Sequence, residues 1–260
     1  MKLINLALIV FTFGIISCDK DDKFTVDCLS TNLQNGIIAF YPFNSGSLTD
    51  ESLNNNNLNN PTTAVPTTDR NGNSNCAFEF ENSQTVEEFL TTTNSNFLNA
   101  LNEFSISIWY EPIDTTRSGG SYEILLSRDD EGHCPDRRGE WTVGLYDCRR
   151  AVFGHNNSVW ANSISNPFSC QGEVNTLSGK WHHVVAIKNN DEYKIYFNGN
   201  LNGMNTGNAN CGSTLHLAED LGDMFIGKYY TGKIDDVIIY NRELSQQEVT
   251  ELFNLTSCCE

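Results

Sequence analysis

The sequence predicts an all-β protein, two antiparallel sheets packed face to face as a sandwich or jelly roll, with one short helix near the C-terminal end. Three observations carry this expectation. Short segments rich in β-branched and aromatic residues recur along the chain, separated by connections of Asn, Gly, Ser and Thr. The clearest of them, Phe104–Tyr110, alternates strictly: Phe104, Ile106, Ile108 and Tyr110 fall on one face, and Ser105, Ser107 and Trp109 on the other. A period of two marks a half-buried strand and excludes a helix. Only the stretch after Ser245 carries helix signals.

Taken in order, strands are expected at Gly36–Phe43, Phe104–Tyr110, Tyr122–Ser127, Trp141–Tyr146, Trp181–Lys188, Tyr193–Phe197, Met224–Gly227 and Lys233–Tyr240. Asn189-Asn190-Asp191 and Asn198-Gly199-Asn200 are turn signals, so Trp181–Phe197 reads as a hairpin. The asparagine run from Asn54 to Asn57 is expected to form an ordered loop, because asparagine tolerates left-handed backbone and bonds its own turn. Ser245-Gln246-Gln247-Glu248 is a capping box, followed at helical spacing by Val249, Leu252 and Phe253. That helix should end near Asn254. No linker interrupts residues 33–256, so one domain is expected over 33–260.

The N-terminal segment has a different character. Lys2 precedes an apolar run from Leu3 to Ile16, too short to cross a bilayer as a helix and typical of a secretory signal. Its ending, Ile15-Ile16-Ser17-Cys18, resembles a bacterial lipobox, which implies cleavage after residue 17 and lipidation of Cys18. Asp19-Lys20-Asp21-Asp22 resembles the surface-export signal of Bacteroidetes lipoproteins. The resemblance implies a lipoprotein on the outer face of the outer membrane, with residues 18–32 as tether. An ordinary secretory signal with a chance cysteine is the alternative.

The net charge of −17 disfavours nucleic acid and anionic lipid as partners. No second apolar run approaches the roughly 20 residues of a spanning helix, so acyl chains would be the membrane contact. Cys18 aside, eight of the nine cysteines remain, an even number that outside the cytoplasm points to disulfides. Zinc would be the alternative, but no Cys-x-x-Cys pair supports it. Connectivity is not fixed by sequence; the pairs favoured are Cys134–Cys148, Cys170–Cys211, and Cys28 with Cys258 or Cys259.

Several segments together resemble laminin-G-like, concanavalin A-like jelly rolls, in the family's order over about residues 36–254. They are Gly36–Asn44 followed by Asp50-Glu51-Ser52, then Ala77–Phe80, Phe104–Tyr110 with Pro112, Trp181–Val185, Tyr193–Gly199, and Gly232–Arg242 with Leu244-Ser245. The resemblance implies two sheets of roughly six or seven strands each. It also implies a structural calcium near Asp50 and Asp235 or Asp236, with Asn54 and its neighbours supplying further oxygens. Here Leu53 and asparagines stand where the usual loop has glycines. Strand alternation would put Asp235 and Asp236 on opposite faces, so at most one should reach a buried site.

Chemistry is sparse. Glucanases of this fold carry a strand Glu-x-Asp-x-x-Glu that sets two carboxylates on one face, and no such run occurs. Glu87 and Glu88 are strand neighbours and should face opposite ways. His182 and His183 match a family strand in which these residues pack or bond structurally. Arg137, Arg138 and Arg149 belong to an arginine-rich stretch, Arg128–Arg150, that would receive a carboxylate or sulfate, or else neutralise the acids around it. By residue type Trp160, Tyr229, Tyr230 and Trp109 are candidate sugar platforms, Trp160 having the best prospect of exposure. Trp109, Trp141 and Trp181 are expected in the core. The expected function is a non-catalytic, surface-anchored module that binds an extracellular glycan. The alternatives are an adhesive or structural module that contacts a surface protein without a sugar site and, ranked last for want of the glucanase run, a glycoside hydrolase.

Overall fold

The computed structural model describes residues 28–92, 94–99, 101–113, 122–128, 140–146, 150–155, 159–162, 179–206 and 222–258. In chain order these form α1 (Thr31–Gln34), β1 (Ile37–Tyr41), β2 (Val65–Thr67), β3 (Ala77–Phe80), β4 (Leu90–Thr92), β5 (Glu103–Pro112), β6 (Tyr122–Arg128) and β7 (Trp141–Tyr146). There follow β8 (Arg150–His155), β9 (Val159–Asn162), β10 (His182–Asn189), β11 (Glu192–Phe197), β12 (Asn200–Thr206), β13 (Met224–Ile226), β14 (Gly232–Tyr240) and α2 (Gln246–Asn254). Each strand expected from the sequence is present within a residue or two.

Among the described residues the strands make two antiparallel sheets. The larger has eight strands in the order β12-β11-β10-β5-β14-β3-β2, with β1 also on β14. The smaller has six, in the order β4-β13-β6-β7-β8-β9. Strand β14 is shared: Gly232–Ile234 pair with β3, and Val237–Tyr240 pair with β1. The inner faces meet over Phe104, Ile106, Ile108 and Tyr110 of β5, Leu125 and Leu126 of β6, Val143 and Leu145 of β7, and Ile234, Val237 and Ile239 of β14. This is the β5 face that alternation selects.

The other face of β5 departs from expectation at its serines, while Trp109 is in the core as expected. Ser105, Ser107 and Trp109 are buried too, because the two chain ends form a partial third layer there. Leu29 and Leu33 near α1, and Val249 and Leu252 of α2, pack on Phe40, Val185, Ile187, Ile238 and Tyr240. Ser105 serves the docking directly: its hydroxyl donates to Arg242 O (2.8 Å) and accepts from Leu244 N–H (3.0 Å). A disulfide between Cys28 and Cys258 ties the two ends together, as one of the expected pairs. Cys76 is also held in a disulfide. Cys134, Cys148, Cys170, Cys211 and Cys259 lie outside the described residues.

The capping box forms as its spacing predicts. Ser245 Oγ accepts from Glu248 N–H, and the Glu248 carboxylate accepts from Ser245 N–H (2.8 Å). The β11–β12 turn at Asn198-Gly199 is left-handed at both residues (φ 48° and 78°), as a two-residue hairpin requires. Glycine is needed there for a second reason: a Cβ on Gly199 would lie 3.0 Å from the Phe253 ring of α2.

Candidate functional site

The residues expected around calcium are engaged otherwise. Asp50 is buried, and Oδ1 accepts from Phe40 N–H and Ser52 N–H while Oδ2 accepts from Asn56 N–H, all at 2.9 Å. The Asn54 and Asn56 amides donate to backbone carbonyls of β1 (Ile37 O at 3.3 Å, Ile38 O at 2.8 Å). The asparagine loop is therefore ordered, and Asp50 is its hub. Left-handed backbone falls on Leu53 (φ 65°) and Asn55 (φ 61°), in the loop where glycines are usual.

Asp235 and Asp236 correct the alternation argument. The register against β5 slips between Asp235 and Ile238, and Asp236 is left-handed at φ 42°. This bulge turns both carboxylates to one cation, the Arg70 guanidinium, which bonds Asp235 Oδ2 and Asp236 Oδ2 at 2.6 Å each. Among the described residues no group of three or more His, Cys, Asp or Glu side chains is placed to hold a metal ion. Asp50, Asp235 and Asp236 direct carboxylate oxygens to backbone N–H groups and to Arg70, and Asn54 turns its amide nitrogen to β1, so calcium at these residues stays what the family resemblance implies.

Arg70 was not legible as a site residue. It sits in the β2–β3 loop, which Asp69 organises by accepting from Asn71 N–H, Asn73 N–H (2.8 Å each) and Ser257 Oγ (2.5 Å). Burial raises the Asp69 carboxyl, but the bonds from Ser257, Asn73 and Asn71 outweigh it and hold the group below the ordinary range. For Asp235, burial and then the Asp236 charge push the carboxyl up. For Asp236 burial pushes up, and Arg70 opposes it in both.

Arg70 also lies over the Trp109 ring, 4.5 Å from its centroid. Trp109 stacks in turn on His183 (4.9 Å) and Phe253 (5.7 Å). His183 is buried, with Nε2 2.8 Å from Ser107 Oγ. His182 is buried against Phe197 and Tyr110. Both histidines pack and bond as structural residues. Trp109 and Trp141 are core, whereas Trp181 is only half-buried.

Burial first, and the Arg70 charge second, lower the His183 pKa to about 3. A proton taken up by the unfolded chain below its ordinary value near 6.5 is then absent from the folded one. The histidine thus carries no proton-linked cost at neutral pH, and it destabilises the fold increasingly as pH falls from about 6.5 toward 3. The raised carboxyls of Asp235 and Asp236 work in the opposite sense, so the contribution is read by difference. The stability of wild type minus that of His183→Gln should rise by about 1.4 kcal/mol per pH unit between pH 4 and 6. Urea unfolding at several pH values measures it, and a flat difference would refute the assignment.

The side of the sandwich where edge strands β2 and β4 lie carries the candidate binding site. Asn82 knits it. Its Oδ1 accepts from Glu88 N–H (2.8 Å), and its Nδ2 faces the carbonyls of Glu88, Gly227 and Tyr230 at 3.0, 3.1 and 2.6 Å. Gly227 (φ 78°) allows the turn to close on Phe80, whose ring would lie 2.4 Å from any Cβ there.

Two features adjoin this knot. One is a cavity of about 450 Å³ lined by Thr63, Val65, Glu79, Phe80, Glu81, Glu88, Ile113 and Thr231. The other is an aromatic patch. Phe89 and Phe225 meet edge to face at 5.2 Å. Lys228 Nζ sits 4.4 Å from the Phe225 ring centroid, 5.3 Å from Phe89 and 5.3 Å from Tyr229. Glu87 accompanies it at 3.4 Å. Tyr229 is 37% exposed and left-handed at φ 61°, a strained backbone for an aromatic residue. Glu87 and Glu88 do part as alternation requires, Glu87 outward and Glu88 buried.

Of the other sugar candidates, Tyr230 is fully buried. Trp160 lies in β9 opposite Gly154, its side chain outside the description. Arg137, Arg138 and Arg149 also lie outside the described residues, as does Cys18.

The sequence matches the concanavalin A-like lectin/glucanases superfamily over residues 82–250. The chain belongs to this superfamily. No curated protein matches it. Solved structures similar to it include the binding domain of botulinum neurotoxin serotype C1, at 17% identity and TM-score 0.63, covering 86% of this chain and 52% of that one. The binding domain of botulinum neurotoxin DC, in complex with rat synaptotagmin II, follows at 18% and 0.61, covering 85% and 52%. The binding domain of Paraclostridial Mosquitocidal Protein 1 matches at 16% and 0.58, also covering 85% and 52%. At such identities the likeness is one of fold, and this lectin-like chain spans about half the length of the structures it matches.

Proposed function

We propose that this protein is a surface-anchored, non-catalytic lectin-like module that binds carbohydrate. The observation that carries the reading is the cavity beside the aromatic patch, on one side of a sandwich whose superfamily includes lectins. A volume of about 450 Å³ lies within the usual range of small-ligand sites. Carboxylates and hydroxyls are suitable partners for sugar hydroxyls, and an exposed aromatic face suits the C–H surface of a pyranose. Fold neighbours support binding rather than catalysis: one is a binding domain solved in complex with rat synaptotagmin II, and another comes from a neurotoxin whose cell entry is described as dependent upon interaction with two ganglioside molecules. Cys18 would carry the lipid, leaving a short tether before the body of the domain is pinned at Cys28.

A glycan array probed with the unlipidated chain tests the reading. Binding is expected, and Tyr229→Ala should weaken it roughly tenfold through lost apolar contact. Surface labelling of intact cells should be lost in Cys18→Ala. An array without hits would sink the glycan reading. A second reading, adhesion to a protein, is favoured by β12, an edge strand among the described residues, with Leu201 (47%) and Met204 (55%) exposed. Capture of a defined surface partner lost in Leu201→Asp would support it.

A further inference from the structure

The lining of the β2–β4 cavity goes further than its volume, because among the described residues its side chains present hydrogen-bond acceptors and commit their hydroxyl protons elsewhere. Glu88 Oε1 accepts the Thr63 hydroxyl proton (2.5 Å), and its Oε2 accepts Glu81 N–H (2.6 Å). The Thr231 hydroxyl donates to Asn82 O (2.9 Å). Both threonine protons are therefore committed, and each hydroxyl can turn only lone pairs to the cavity. Glu79 and Glu81 add two further carboxylates, half-buried and exposed. Lys233 stands opposite Glu79 in the register, is not among the lining residues, and pairs with Glu111 at 3.2 Å. Val65 and Ile113, 53% and 41% exposed, supply an apolar rim.

From this lining, and resting on the glycan-binding reading above, we infer that the cavity selects a saccharide bearing free amino groups. Such a ligand supplies what the walls lack: hydroxyl and ammonium donors, a positive charge for the glutamates, and a C–H face for Val65 and Ile113. A sialylated or uronic sugar brings a carboxylate against carboxylates and is disfavoured. A neutral sugar gains the hydroxyl bonds without the charge.

Calorimetry on the full-length chain in detergent decides it, with a β-1,4-linked glucosamine tetramer, its fully N-acetylated counterpart, sialyllactose and a tetralysine peptide as probes. The glucosamine tetramer should bind at least about tenfold more tightly than the acetylated one. High salt should erode that advantage, and Glu79→Gln with Glu81→Gln should reduce it by about the same factor. These two side chains hold no part of the Asn82 knot, so the variant tests recognition and not folding. Equal binding of the acetylated tetramer, or tighter binding of sialyllactose, would overturn the inference and leave the glycan reading standing. Tighter binding of tetralysine would replace a sugar by a basic peptide. Failure of every saccharide would remove both readings.

Discussion

Replacing Arg70 by alanine is expected to destabilise the protein by about 3–5 kcal/mol, the usual consequence of stranding buried charge. Two carboxylates, Asp235 and Asp236, would lose a shared cation at 2.6 Å in a place almost closed to water. Trp109 would lose the guanidinium stacked on it, and the Leu255 carbonyl a 3.4 Å donor from Nη2. For a domain of this size the midpoint of thermal unfolding should fall by roughly 10 °C.

The variant also has a pH signature. Without Arg70 both carboxyls rise further above their unfolded values, so the folded chain binds protons that the unfolded chain releases. The sign follows from linkage: the deficit against wild type must grow as pH rises above about 4. Arg70→Met combined with Asp235→Asn and Asp236→Asn removes the three paired charges together and should recover most of the loss. Urea unfolding of the single and triple variants at pH 5 and 7.5 checks both points. An Arg70→Ala variant as stable as wild type would show that the cluster contributes nothing to folding.

The second large effect belongs to the Cys28–Cys258 disulfide. It closes a loop with a sequence separation of 230 residues, and the chain-entropy argument gives about 5 kcal/mol for so long a loop, with 2–5 kcal/mol typical of measurement. Cys28→Ser with Cys258→Ser should therefore lower stability by about 2–5 kcal/mol, and the loss should appear first at the two ends. Helix α1, of four residues, cannot persist in isolation. Its release would uncover Phe40, Val185 and Ile238 on the outer face of the large sheet. Limited proteolysis should then cut near both termini before the sandwich opens. The two effects are coupled, since Cys258 N–H donates to Asp236 Oδ2 at 3.2 Å. Adding Arg70→Ala to the serine pair should cost less than the sum of the separate losses.

Most of the fold was legible because strand formation leaves a local signature. The alternation of Phe104–Tyr110 identifies β5 and its inner face without reference to any other segment. The same holds for the capping box at Ser245 and the Asn198-Gly199 turn, whose chemistry lies within a few residues. The alternation rule failed at Asp235 and Asp236, where one added residue in β14 swings both side chains to the same side. It was incomplete at Ser105 and Ser107, whose polar character suggests solvent until the segments around α1 and α2 are seen to cover that face.

The candidate site was less legible. Tyr229 could be named by residue type, but nothing nearby in the sequence announces that Asn82 meets Gly227 and Tyr230 some 145–148 positions away. Glu88 reads as half of a surface charge pair, yet it forms the buried wall of the cavity through Thr63. Arg70 is one arginine in a polar turn, with its ion-pair partner 165 residues distant.

By itself, then, the sequence determined the longer core strands, the inward face of β5 and the terminal helix, since each depends on periodicity or on turn and cap chemistry between near neighbours. The topology came through resemblance to a known family, and strands β2, β4, β8, β9 and β12 left no clear local signal. Only the tertiary structure decided that a guanidinium holds the paired aspartates, that the chain ends seal the outer face, and that acceptors from three separate segments line one cavity. These outcomes depend on bulges, on closure of long loops and on burial, and a residue's own neighbours in sequence do not record them.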